Sequence, residues 1–210
     1  MSINKQIGAG LIELMIASVI GIVALMAIGS LYINVHKVAA ERYKQLTLLQ
    51  NTASVVQMLS SDLQRAGYDG NNGYSVRISG ATDTLYTLNG VNHGLVAYAY
   101  QVGTSGALPL YKNVVYQQRS GASNSLLVCE KKRTTLMDIN EVVNLTGTGT
   151  CFNLFDSKVI ELSNFEVKSE RVEGLKARTA LVSIEVVTHI TDQPSIESRQ
   201  ALTIKQRNWQ

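Results

Sequence analysis

The apolar stretch from Gly8 to about Ile33, interrupted by a single acid, constrains this chain more than any other feature. Ahead of it lies MSINKQIG, a polar head whose one charged side chain is Lys5. The run itself, AGLIELMIASVIGIVALMAIGSLYI, is about 25 residues long, enough to cross a bilayer as one helix. Within it only Glu13 is charged. A carboxylate in a membrane-spanning helix costs roughly 2.5–3.5 kcal/mol on insertion scales, so any reading of this segment must give Glu13 a use.

Three readings compete. A secretory signal has a basic start, a shorter apolar core and a small-residue cut site beyond that core. Here the run is too long, and the acid lies inside it. A plain single-span anchor explains the length and the side on which Lys5 sits, but leaves Glu13 unpaired. In the third reading the chain is cut on the cytoplasmic side, between Gly8 and Ala9. The cut creates a new amino-terminal cation near the membrane, with which Glu13 of a neighbouring subunit can pair. Only the third gives the acid a partner.

The residues Gly8 to Ala17, G-A-G-L-I-E-L-M-I-A, resemble the class III signal of type IV pilins and type II secretion pseudopilins. The usual form is a basic residue, a short gap, then G-F-T-L-I-E, cut after the glycine and N-methylated on the next residue. The resemblance makes Gly8 the residue before the cut, Ala9 the methylated new terminus and Glu13 the acid that acts in subunit assembly. Leu11-Ile12-Glu13-Leu14 matches without a gap, whereas Ala9 replaces the usual Phe and Gly10 the usual Thr.

Composition fits a small exported protein. Of 210 residues, about 175 remain beyond the head and the span, enough for one core. Losing the head removes one lysine from a formal net charge of +3. So slight an excess argues for no nucleic-acid partner, and Lys131-Lys132-Arg133 reads as solvated surface. With Lys5 inside, everything after the span faces the periplasm or the exterior, where disulfides persist. The two cysteines, Cys129 and Cys151, both lie there and are expected to pair. Closing that loop stabilises by roughly 3 kcal/mol in the chain-entropy model. A zinc site would want close pairs of ligands, and the three histidines are scattered.

Beyond the span the helix is expected to continue, since Asn34–Ala66 contains neither proline nor glycine. Leu46, Leu49, Ala53, Val56, Leu59, Leu63 and Ala66 recur at steps of three and four and predict one apolar face. Gly67 supplies the stop. Ala9–Ala66 would form a rod of roughly 85 Å. The remainder predicts strands at Tyr74–Ser79, Thr84–Leu88, Leu95–Val102, Lys112–Gln118, Leu126–Arg133, Val159–Lys168, Arg178–Thr188 and Ser198–Arg207. Alternation is clearest in Ala180–Val186, with Val182, Ile184 and Val186 on one face. One long helix followed by consecutive strands predicts an α+β fold with a mainly antiparallel sheet. The expected organisation is a cleaved leader 1–8, a membrane or filament-core helix 9–33, its amphipathic continuation 34–67, and a β-rich domain 68–210.

The helix end Asp62-Leu63-Gln64-Arg65-Ala66-Gly67-Tyr68 resembles the D-L-x-R-A-G-Y ending of PilW-type minor pilins. Arg199 and the terminal Arg207-Asn208 resemble their closing strand. J-type pseudopilins of type II secretion share a similar helix end and are the nearest rival. The resemblance implies a non-enzymatic subunit that helps initiate or decorate a pilus. Its implied partners are a prepilin peptidase, other minor and major pilins and the inner-membrane assembly platform. It would reside in the inner membrane with a periplasmic domain, and at the cell surface after assembly. A membrane-tethered periplasmic receptor that never polymerises is the alternative from another class.

Catalysis finds little footing. His36, His93 and His189 stand apart, no G-x-S-x-G elbow occurs, and Gly147-Thr148-Gly149 lacks the lysine of a phosphate loop. Tyr98, Tyr100, Tyr111 and Tyr116 read as sheet packing before adhesive surface. Asp192 and Glu197 near Pro194 are too few for a calcium site. No cofactor and no metal are expected.

Overall fold

The computed structural model describes residues 10–70, 73–89, 94–119, 121, 124–145, 151–173 and 178–206. The chain divides into two units, Met1–Lys44 and Gln45–Gln210. One helix, α1 (Leu11–Leu63), contributes to both.

In the first unit every described residue from Gly10 to Tyr43 is exposed. The apolar side chains point in all directions around the axis, which no single sheet face could cover.

In the second unit α1 becomes amphipathic. Its buried positions are Leu48, Thr52, Val55, Leu59 and Leu63, at steps of four, three, four and four. This stripe differs from the one the apolar residues predict. Leu46 and Leu49 are exposed, Val56 is only half-buried, and the predicted and observed faces merge at Leu59. The stripe passes through a polar residue, Thr52, whose hydroxyl bonds Leu48 O at 2.8 Å and lies 2.6 Å from Thr188 Oγ1. A hydroxyl satisfied twice can sit in a core at little cost.

The helix proper ends at Leu63. Two tighter bonds follow, Arg65 N to Asp62 O at 3.0 Å and Ala66 N to Leu63 O at 3.2 Å. Gly67 then takes the left-handed conformation at φ 82°, as its predicted stop requires.

Eight strands follow. Five form an antiparallel meander: β1 (Tyr86–Leu88), β2 (Leu95–Ser105), β3 (Leu108–Arg119), β4 (Ser125–Arg133) and β5 (Cys151–Asn153). Three form a second antiparallel sheet, β6 (Ile160–Glu173), β7 (Arg178–Ile190) and β8 (Gln193–Lys205). The α+β class therefore holds, with two sheets in place of one. Tyr74–Ser79 is not a strand; it makes one isolated bridge, Ser79 to Asp138. The short β5 and a helix α2 (Ile139–Val143), capped by Asp138 Oδ1 on Glu141 N at 2.8 Å, lacked a periodic signal long enough to read.

Strand periodicity divides the interior into two cores. Val96, Tyr98, Val114, Tyr116, Leu126 and Val128 join the helix stripe, and with them Leu162, Phe165, Val182, Ile184 and Val186 of the smaller sheet. Their neighbours Leu95, Ala97, Ala99, Val115, Leu127 and Cys129 face the other way, under Val76, Ile78, Met137, Val142 and Leu145. The five-stranded sheet is thus covered on both faces. Buried Asn113 pins the outer layer, accepting from Met137 N at 2.9 Å, and Gln117 Nε2 donates to Leu145 O at 2.7 Å. Where the sheets meet, Phe165 N donates to Gln118 Oε1 at 3.0 Å, and a Cβ on Gly94 would collide with the Phe165 carbonyl.

Candidate functional site

The exposed part of α1 is built to be satisfied without water. Ser18 Oγ donates to Met15 O at 2.8 Å and Ser30 Oγ to Ala27 O at 2.9 Å, so these hydroxyls are spent on the helix's own carbonyls. That is the condition hydrocarbon imposes on any polar group it surrounds. Side chains such as Leu11, Met26 and Leu31 are 76%, 69% and 64% exposed. An apolar surface of this extent marks a membrane or an assembly partner. Among the described residues, α1 is the helix long and apolar enough to cross a bilayer. Ala17, Gly21, Ala24 and Ala27 lie along it, with nothing within 4 Å of the position a Gly21 Cβ would take.

Glu13 has a local partner that sequence reasoning did not anticipate. Its Oε2 accepts from Gly10 N at 3.2 Å, while Gly10 O accepts from Glu13 N at 2.9 Å. This is the reach-back half of a capping box, with a carboxylate at the positive end of the helix dipole. The chain therefore gives the acid a partner of its own. Gly8 and Ala9 lie outside the described residues.

The two cysteines are joined, directly opposite each other on β4 and β5 and 22 residues apart in sequence. The bond holds β5 to the meander, with Cys129 wholly buried.

The helix-end motif also acquires a physical account. Leu63 and Ala66 are core residues. Gly67 N donates to Ala99 O at 3.0 Å and Gln101 N to Tyr68 O at 2.8 Å, stitching the chain to β2. Asp62 Oδ2 accepts from Tyr116 OH at 2.7 Å, and Arg65 pairs with Asp62 at 3.7 Å. Tyr98 stacks between Tyr100 and Tyr116, with ring centroids 6.1 and 6.5 Å away. Burial is the main reason the Tyr98 and Tyr116 phenols are held far above their ordinary range, and the Asp62 carboxylate raises both further. A hydrogen bond to Tyr100, reinforced by Asp62, raises Arg65. These neutral phenols and their ion pair lock the helix end to the sheet. The tyrosines at 98 and 116 pack, as their strand positions predict.

Elsewhere the polar constellations follow sheet register. Arg133 reaches Glu141 through two bonds of 2.9 and 2.5 Å, and Lys131 approaches the same carboxylate at 3.5 Å. Lys112 pairs with Glu130 at 2.7 Å. Two cations of the basic triplet are thus engaged by one acid. His36 packs edge-on to Tyr32. His189 Nδ1 is 2.7 Å from Ser163 Oγ and its Nε2 is 3.5 Å from Glu161, which stands opposite it on β6. His93 and the Gly147–Gly149 stretch lie outside the described residues. Among those described, no group of three or more His, Cys, Asp or Glu side chains could hold a metal ion.

An exposed apolar helix that continues into a disulfide-linked antiparallel domain defines a pilin-like, membrane-anchored class of protein. The family model described as Prepilin peptidase-dependent protein B matches residues 41–206, and the chain belongs to that family. The matched span begins beyond Glu13, so the leader motif and the family match rest on separate residues. No match was found among curated proteins, and none among solved structures.

Proposed function

We propose that this protein is a minor pilin of a type IV pilus, nearest the PilW type, which helps initiate or decorate the filament and catalyses no reaction. Prepilin peptidase cuts between Gly8 and Ala9 and methylates Ala9. The mature subunit waits in the inner membrane with its β-rich domain in the periplasm. It then moves into the filament, where minor and major pilins, delivered through the assembly platform, surround its helix. The observation that carries this reading is the exposed apolar first half of α1, with one acid in its first turn, on a domain of a prepilin peptidase-dependent family. Lipid and a helix bundle are similarly apolar, so close packing and one ion pair can decide between them. In this reading the acid that caps Gly10 in the lone subunit exchanges that bond for a neighbour's terminal cation in the filament.

The test is Glu13→Gln. Glutamine also serves the reach-back position of a capping box, so the helix start survives while the charge is lost. Intact-mass measurement of both proteins should show loss of Met1–Gly8 and gain of one methyl group. The Gln variant should then be depleted from sheared surface filaments. Normal incorporation would remove the assembly role of Glu13, and a mature chain that retains Lys5 would remove the cleavage.

A further inference from the structure

Packing and hydrogen bonding account for most of the helix-end segment Asp62–Tyr68, but not for the ring of Tyr68. Its carbonyl is tied to Gln101 N at 2.8 Å, yet the residue is 44% exposed. Tyr68 lines an open cavity of about 500 Å³, with Gln64 and Arg65 from the helix end and Tyr100, Gln101 and Val102 from β2. Clefts of that size, mostly apolar and aromatic with a few polar groups, are where proteins hold small ligands. The tyrosines of this region therefore divide. Tyr98 and Tyr116 are spent on the core, whereas Tyr100, stacked on Tyr98, reaches the cavity.

The walls are fixed before any ligand arrives, which lowers the cost of binding. The bond from Gly67 N to Ala99 O, at 3.0 Å, clamps the helix end to β2. Arg65 is held by Asp62 at 3.7 Å and by the Tyr100 hydroxyl. The Gln101 amide donates to Gly103 O at 3.2 Å and lies against Gly70, where a Cβ would come within 2.9 Å of it. A register shift between Gln101 and Gly103 falls at the same rim, and such bulges re-aim side chains.

The lining says what fits. Arg65 is its only charged residue, and Asp62 already offsets it. A strongly charged ligand of either sign gains little there, and a nucleic-acid strand needs cations in excess for its phosphates. The phenol rings offer flat apolar faces, negative at the centre, that attract C–H groups. Gln64, Gln101 and the exposed guanidinium of Arg65 offer amide oxygens and N–H groups, and a guanidinium has more donors than Asp62 and Tyr100 take. A flat C–H face ringed by neutral hydroxyls is the chemistry that matches both. We propose that this cleft binds a neutral sugar, with one pyranose ring laid on Tyr68 and its hydroxyls on Gln64, Arg65 and Gln101. Neither Gly8 nor Glu13 enters this inference, so it stands or falls apart from the pilus reading.

The test uses the full chain in phosphatidylcholine nanodiscs, whose lipid carries no sugar headgroup. Cellobiose, lactose and diacetylchitobiose are titrated in turn and followed by saturation-transfer NMR. At least one should bind, with the strongest transfer to its ring C–H protons. Tyr68→Leu should weaken that binding roughly tenfold, while Tyr68→Phe retains it, because the ring face and not the hydroxyl carries the contact. Gln64→Ala should weaken it roughly fivefold, the loss of one hydrogen bond. Both side chains are exposed, so thermal melts of all three variants should match the parent and separate lost binding from lost fold. Absence of transfer to all three sugars, or undiminished binding by Tyr68→Leu, would overturn the proposal. So would tighter binding of oligothymidylate or of an aromatic peptide than of any sugar.

Discussion

The two halves of α1 belong to one continuous helix and meet opposite surroundings. From Gly10 to Tyr43 no described side chain is covered, although the segment is apolar as far as Ile33 apart from Glu13, Ser18 and Ser30. From Leu48 to Leu63 one residue in three or four is fully covered, although the segment carries many polar side chains. What differs is arrangement. The first half has no polar face, so no one-sided partner within the chain can satisfy it, and lipid or a bundle of other helices must. The second half sets one apolar stripe, Leu48, Val55, Leu59 and Leu63, against a largely polar remainder, and two sheets can cover that stripe. Hydrophobicity alone does not say where a helix is buried, whereas its distribution around the axis does.

The largest expected effect comes from moving the cut along this helix. A chain that starts at Gln45 retains the whole covered stripe and should fold as a soluble domain when made in an oxidising compartment. A chain that starts at Tyr68 loses Leu48, Val55, Leu59, Leu63 and Ala66, all of them core residues. It should aggregate, because the uncovered sheet face seeks any partner. Comparison by size-exclusion chromatography decides the matter. A monodisperse fragment from Tyr68 would erase the distinction between the halves.

Single substitutions sharpen the same contrast. Leu59 is 0% exposed, and Leu59→Ala should lower stability by about 2–5 kcal/mol in a urea melt. Ile20 is 63% exposed, and Ile20→Ala should leave that melt within about 0.5 kcal/mol. Equal losses would mean that both halves are core.

How much of this was legible in the sequence depends on the kind of signal. The span and the strands at Leu95, Lys112, Leu126 and Arg178 were readable, because long apolar runs and strict alternation reflect solvent directly. The stripe was misplaced by a residue or two because Thr52 does not count as apolar, and its burial depends on Thr188, 136 residues away. The same distance hid the bond from Tyr116 to Asp62, 54 residues apart. Glu13 was recognised by its spacing, but its bond to Gly10 N requires a helix start at Leu11, which a continuous apolar run does not mark. The pairing of Cys129 with Cys151 was accessible by count, since two cysteines allow one bridge. β5, the strand it holds, was not.

That bridge is the next test of the packed half. β5 is three residues long and, among the described residues, pairs with β4 alone. Replacing both cysteines by alanine should cost about 2–4 kcal/mol in the Gln45 fragment. The loss should fall chiefly on protection of Cys151–Asn153 in hydrogen exchange. An unchanged melt would show that pairing to β4 suffices without the covalent bond.

The smallest expected effect is a dependence on pH carried by Glu141. Its hydrogen bonds from Arg133, with Lys131 nearby, hold the carboxyl below its ordinary value of 4.5. A carboxyl that is more acidic when folded than when unfolded stabilises the fold above its unfolded value. That contribution should be complete above about pH 4.5 and should fade as pH falls through the depressed folded value. The side chain is 30% exposed, so solvent screening limits the gain to about 1 kcal/mol. Glu141→Gln should therefore melt slightly earlier than the parent at pH 7, with the gap closing toward pH 3. α2 should persist in the variant, since its cap uses the Glu141 backbone N–H and not the side chain. A gap that stays constant from pH 7 to pH 3 would mean that Glu141 acts through packing rather than charge.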